Sequence, residues 1–96
     1  MNETSDVSNR FYVYTFYSLK DGKFYTGMTL NLRNRLSSHA RGEVKSTASR
    51  RPLKLIHYEY YINEKNARAR EIFLKSGFGR DTFKKAIKMT LILLKK

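Results

Sequence analysis

Arg35 and His39 are four residues apart in a segment of helical periodicity, Leu32 to about Ala40, so their side chains stand one turn apart. The guanidinium offers a forked, permanently charged donor set that matches two phosphate oxygens. The imidazole beside it can donate to phosphate or relay a proton near neutral pH. Tyr14 and Tyr25 each sit in an aromatic run with strand character. A phenol titrates at about 10 in water and becomes a useful base only where a metal or a cation favours its phenolate. Glu71 has Glu64, Arg68 and Lys75 as helical neighbours, and an ion pair with Lys75 on a solvated face accounts for it without any chemistry. Taken singly, the tyrosines read as core or edge aromatics, Arg35 as a solvated helix cation and His39 as an ordinary helix histidine.

Twenty Lys and Arg against eight Asp and Glu give this 96-residue chain a formal charge of +12. Such a density repels itself unless a polyanion neutralises it, and nucleic acid is the expected partner, DNA first, with RNA left open. Lys45, Arg50 and Arg51 in a Ser/Thr/Gly-containing loop, with Lys54 just beyond, could track phosphates without reading bases. The chain has no cysteine, so neither disulfides nor a thiolate zinc site can staple it. Met1 to Arg10 is polar, unlike a secretory signal, and the run Met89 to Leu94 is too short to span a bilayer. A cytoplasmic protein with no membrane partner is expected. The length suits one core: a flexible segment over 1–10, then one domain over 11–96.

Phe11 to Tyr17 is aromatic and β-branched and predicts a strand; Asp21-Gly22 marks a hairpin turn, and Phe24 to Thr29 the returning strand. Tyr14 and Tyr25 would then face each other across one hairpin. Asn31 is a candidate N-cap for the first helix, whose stripe is Leu32, Leu36 and Ala40, with Arg35 and His39 at its edge. Arg41 to Pro52 reads as loop and Leu53 to Tyr61 as a third strand. Asn63 can cap a second helix, Glu64 to Lys75, ended by Ser76-Gly77, and a third begins near Arg80-Asp81 with Phe83, Ala86, Ile87, Leu91 and Leu94 on one face. The order is ββαβαα. The Ser76-Gly-Phe-Gly79 stretch follows a helix and lacks a third Gly, so a helix-to-helix turn describes it better than a phosphate loop.

Tyr12-Val-Tyr14, Tyr25-Thr-Gly27, Asn31-Leu-x-x-Arg35-Leu-x-x-His39, Arg50-Arg-Pro-Leu53, Tyr58-Glu59 and Arg70-Glu71, in that order, resemble the GIY-YIG nuclease domain from about Phe11 to about Lys85. The likeness is to short stand-alone bacterial members, related to the GIY-YIG domain of excision-repair nucleases. It implies an α+β, sandwich-like fold in which a small three-stranded antiparallel or mixed sheet is flanked by helices. It also implies a catalytic face carrying Tyr14, Tyr25, Arg35, His39 and Glu71, with Glu71 the carboxylate for one divalent ion, Mg²⁺ or Mn²⁺. Family members hydrolyse a phosphodiester by in-line attack of water, leaving a 5′-phosphate and a 3′-hydroxyl. By that resemblance Tyr14 is the preferred base and Tyr25 positions water or phosphate, with the exchange of roles left open. The function implied is a metal-dependent endonuclease acting on DNA, directed by structure more than by sequence, in repair or recombination.

The sequence departs from the family pattern in three places. Tyr12 and Thr26 replace the Gly and Ile of the name-giving motifs, both compatible with strands, and Met28 stands where excision-repair relatives carry a lysine. Gly27, ending a strand motif, is expected to serve close packing or a bend. A binding module that keeps the fold but does no chemistry is the alternative that the charge alone supports. Met89, Ile92 and Leu93 fall off the apolar face of the last helix and would suit a protein partner or a second copy of the chain.

Overall fold

A computed structural model describes residues 9–95. The segment expected over 1–10 lies, for its first eight residues, outside the described residues, as does Lys96. Three strands, β1 (Phe11–Ser18), β2 (Phe24–Thr29) and β3 (Leu53–Tyr61), form one sheet in the order β2-β1-β3. Both pairings are antiparallel. The central place goes to β1 because its aromatic and β-branched residues tolerate cover on both faces, and Val13 to Ser18 are all buried. The turn after it is longer than a two-residue hairpin: Ser18 N–H donates to the Lys23 carbonyl at 2.9 Å, and Gly22 supplies the left-handed φ of +72°.

Two faces with different cover follow from the strand alternation. Val13 packs with Ala67, Leu74 and Phe83, which puts α3 (Glu64–Lys75) and α4 (Gly77–Ala86) on its side of the sheet. Tyr14 meets His39 and so turns to α1 (Leu32–Ala40) on the other side. Asn31 caps α1 by accepting from Asn34 N–H, and Asn63 caps α3 by accepting from Lys65 N–H, both at the expected positions. Within α1 the inward face is centred differently from the apolar stripe: His39 is buried and Ala40 is exposed.

Three departures from the expected layout bear on function. The Arg41 to Pro52 loop contains a short helix, α2 (Lys45–Ala48), whose Thr47 is buried. The helix expected near Arg80-Asp81 begins instead at Gly77, because Ser76 ends α3 and caps α4 with its own side chain, accepting from Gly79 N–H at 3.0 Å. Gly79 is required there, since a Cβ would overlap the Phe73 carbonyl of α3. The apolar run then continues as a separate helix, α5 (Lys88–Leu94), after a break at Ile87 that no glycine or proline marks. Met89, Ile92 and Leu93 are all exposed on α5, as expected.

Candidate active site

The register decides which side chains meet. Tyr14 pairs with Gly27, and Tyr25 pairs with Phe16 two residues further along β1. The two tyrosines therefore share a face as diagonal neighbours and do not stand directly opposite, as the hairpin reading expected. A Cβ at Gly27 would overlap the Tyr14 hydroxyl and lie 2.6 Å from Cζ, so the glycine is the space that the Tyr14 ring fills.

Tyr14, Tyr25, Arg35, His39 and Glu71 all line one cavity of about 230 Å³. Thr26, Met28, Ser46, Thr47 and Lys75 share its wall. Side chains from α1 on one side of the sheet and from α3 on the other reach it together because β2 is an edge strand and the cavity wraps round that edge. The rotation of α3 about its axis is set one residue before Glu71. Arg70 Nε donates to Glu59 Oε1 on β3 at 2.9 Å, and the Tyr61 hydroxyl donates to Glu59 Oε2 at 2.9 Å. Burial alone would raise the Glu59 pKa, but the Arg70 and Tyr61 hydrogen bonds outweigh it and hold the group below the ordinary carboxylate value.

Inside the cavity a chain of polar contacts runs Arg35, Tyr14, His39, Thr47. Arg35 Nε donates to Tyr14 Oη at 3.4 Å, Tyr14 Oη lies 3.0 Å from His39 Nε2, and His39 Nδ1 lies 2.7 Å from Thr47 Oγ1. The Thr47 hydroxyl has one proton and two acceptors in reach, Nδ1 at 2.7 Å and the Val44 carbonyl at 3.5 Å. The shorter contact favours donation to Nδ1, which leaves the imidazole proton on Nε2, aimed at Tyr14 Oη. Two donors then converge on that oxygen and free its own O–H for the cavity. Burial, reinforced by the nearby Arg35 charge, lowers the His39 pKa below 6.5, so the ring is neutral at neutral pH. Tyr25 contributes a buried hydroxyl with no hydrogen-bond partner. Such an orphaned donor in a polar cavity is matched to water or to a ligand oxygen.

Glu71 keeps the ion pair expected with Lys75, Nζ to Oε2 at 3.1 Å, but its side chain is only 18% exposed and it faces the cavity, unlike a solvated face residue. Lys75 comes with it and supplies an ammonium from α3 where Met28 offers none from β2. Among the described residues no three His, Cys, Asp or Glu gather as a metal cluster. One carboxylate that shares a cavity with two tyrosines fits a hard divalent ion of the kind that keeps most of its shell as water and substrate oxygens.

The four basic residues expected to track phosphates are scattered by the fold. Arg50 alone reaches a cleft beside the cavity, stacked 4.7 Å over the Tyr25 ring and paired with Asp21 at 3.4 Å. That cleft, about 420 Å³, is also lined by Lys23, Arg80 and Lys84, and it shares Tyr25 with the cavity. Arg51 instead clamps the loop, donating to the carbonyls of Ala48 at 2.9 Å and Ala40 at 3.3 Å. Lys45 opens α2 in solvent, and Lys54 is exposed on β3 opposite Tyr17. Neither lines the cavity. Thr47, Lys75, Lys23, Arg80 and Lys84 carry no local signal that singles them out from other threonines and cations.

The family model described as the GIY-YIG catalytic domain matches residues 10–86. A UPF0213 protein of Clostridium perfringens is 40% identical over 65 residues, covering 67% of this chain and 69% of the relative. Another, from Pediococcus pentosaceus, is 40% identical over 70 residues, 70% of each chain. A third, from Staphylococcus saprophyticus, is 32% identical over 85 residues, covering 88% of this chain and 95% of the relative. No solved structure matches. With its three-stranded sheet, its edge cavity and a match over most of its length, the chain belongs to the GIY-YIG family, of nuclease type and with nucleic acid as its substrate class.

Proposed function

We propose that this chain is a metal-dependent endonuclease that hydrolyses DNA phosphodiesters, directed by the structure of the DNA and serving repair or recombination. The observation that carries the reading is the meeting of Tyr14, Tyr25, Arg35, His39 and Glu71 in one cavity from four separate elements. Tyr14 Oη, held by Arg35 and the His39 Nε2–H, takes a proton from the attacking water in its phenolate form, whose charge those two donors share. Tyr25 offers its unpaired hydroxyl to the water or to a phosphate oxygen. Arg35 and Lys75 meet charge developing on the phosphorus oxygens. Glu71 would hold the divalent ion, which supplies charge stabilisation at the phosphate and the departing oxygen when bound. The water oxygen bonds to phosphorus as the bond to O3′ breaks, and the departing 3′-oxygen takes a proton from solvent water to become a hydroxyl, while the proton on Tyr14 is returned to solvent.

The test is incubation of pure protein with flapped, branched and plain duplex DNA in Mg²⁺ or Mn²⁺. Cleavage that falls at least about a hundredfold in Tyr14→Phe and Glu71→Ala supports the proposal. Cleavage unchanged in both variants, or salt-dependent binding with no nick in any substrate, overturns it; the second outcome would make the chain a binding module.

A further inference from the structure

We infer that Tyr12, Tyr58 and Tyr60 form a stacking platform for unpaired nucleobases beside the cavity, so that the preferred substrate carries a single-stranded segment next to the bond that is cut. The inference rests on the nuclease reading and adds the substrate class.

In the β1–β3 register Tyr12 pairs with Tyr60 and Tyr14 with Tyr58. Alternation along each strand places these four rings on one face, the face of the cavity. Over Tyr14 and Phe16 that face is covered by packing with His39. Beyond Tyr14 the cover stops: Tyr58 is 53% and Tyr60 49% exposed. The Tyr12 ring ties them together, its centroid 6.1 Å from Tyr58 and 5.8 Å from Tyr60. A cluster of half-exposed rings on a sheet face is an apolar surface that calls for an occupant.

The charges around it select the kind of occupant. The carboxylate of the same strand, Glu59, is turned to the other face and held by Arg70 and Tyr61. The guanidinium of Arg10 lies 5.1 Å over the Tyr60 ring. A platform with a cation at its rim, on a chain of net charge +12, suits a polyanion that also has flat faces. Single-stranded nucleic acid has both, and its bases stack on aromatic side chains without regard to sequence. A duplex hides those faces. Tyr12 and Tyr14 are separated by two residues of strand rise, about 6.7 Å, which is about two stacked nucleotide steps. Bases on the platform would thus flank the phosphate held at Tyr14.

Fluorescence anisotropy decides the matter, with a labelled oligothymidine and a blunt duplex of equal length, in chelator so that nothing is cut. The Tyr58→Ala/Tyr60→Ala double variant, checked for retained fold by circular dichroism, should lose about tenfold or more in affinity for the single strand. It should lose less than about twofold for the duplex, and Tyr58→Phe/Tyr60→Phe should bind as the wild type does. Equal losses on both ligands, or no loss on the single strand, overturn the platform while leaving the nuclease reading intact. So does a change in self-association by sedimentation with oligonucleotide affinity unaltered. Failure of the wild type to bind either ligand brings down the nuclease reading, and the platform with it.

Discussion

Under the proposed mechanism Thr47 acts through His39 and Tyr14 as a positioning residue. Its hydroxyl fixes the His39 ring at 2.7 Å, and His39 in turn orients the Tyr14 oxygen. Thr47→Val keeps the volume but leaves Nδ1 buried without a partner, which costs about 1–3 kcal/mol. We expect cleavage to fall about tenfold in Thr47→Val and to be retained in Thr47→Ser, read from single-turnover rates. Wild-type cleavage by Thr47→Val would show that the hydroxyl positions nothing. His39 also gives a pH dependence whose sign follows from its depressed pKa. Folding favours the neutral ring, so its contribution is fully present above the unfolded value of 6.5 and is lost as pH falls toward the folded value. Urea midpoints should therefore decline from pH 7.5 to below about 6 in the wild type, and less steeply in His39→Gln; parallel declines would remove His39 as the cause.

Among the elements, β2 has the most exacting task, because an edge strand must admit the Tyr14 ring against its backbone. Gly27 makes the room. Gly27→Ala forces the added methyl group into that ring, and overpacking of this kind costs about 1–3 kcal/mol. The expected outcome is a lower urea midpoint together with loss of cleavage, since the tyrosine must leave its hydrogen bonds to Arg35 and His39. Unchanged stability would mean that the ring is free to move. Helix α3 is fixed in a complementary way. Its polar anchor to β3 is the Arg70–Glu59 pair, and Glu71 reaches the cavity because it follows that anchor by one residue.

For the whole molecule, charge and shape act together. A charge of +12 guarantees attraction to nucleic acid, but only some cations are gathered where a strand would lie. Lys23, Arg50, Arg80 and Lys84 line the cleft that meets the cavity at Tyr25, with Arg35 beyond it. Five engaged cations predict that log affinity for duplex DNA falls with log salt at a slope of about −4.5. Arg80→Gln/Lys84→Gln should flatten the slope by about 2, whereas Lys45→Gln/Lys54→Gln should leave it nearly unchanged. The reverse result would place the strand elsewhere. No helix among the described residues is long and apolar enough to cross a membrane.

The three strands, the first helix and the Glu64–Lys75 helix were legible in the chain, because caps such as Asn31 and Asn63, turn residues such as Gly22 and the period of apolar residues are local signals. The five cavity residues were legible only as an ordered motif, since each has a plain structural account by itself. Tertiary structure alone decided the diagonal placement of Tyr14 and Tyr25, the burial of His39 against Thr47, the arrival of Lys75, and the substitution of Lys23, Arg80 and Lys84 for Lys45, Arg51 and Lys54 beside the cavity. It also cut the C-terminal apolar stretch into two helices. These are matters of register and of which element packs on which face. A partner 25 residues away, as His39 is from Tyr14, is chosen by the close packing of the sheet edge between α1 and α3, and not by the residues on either side of it.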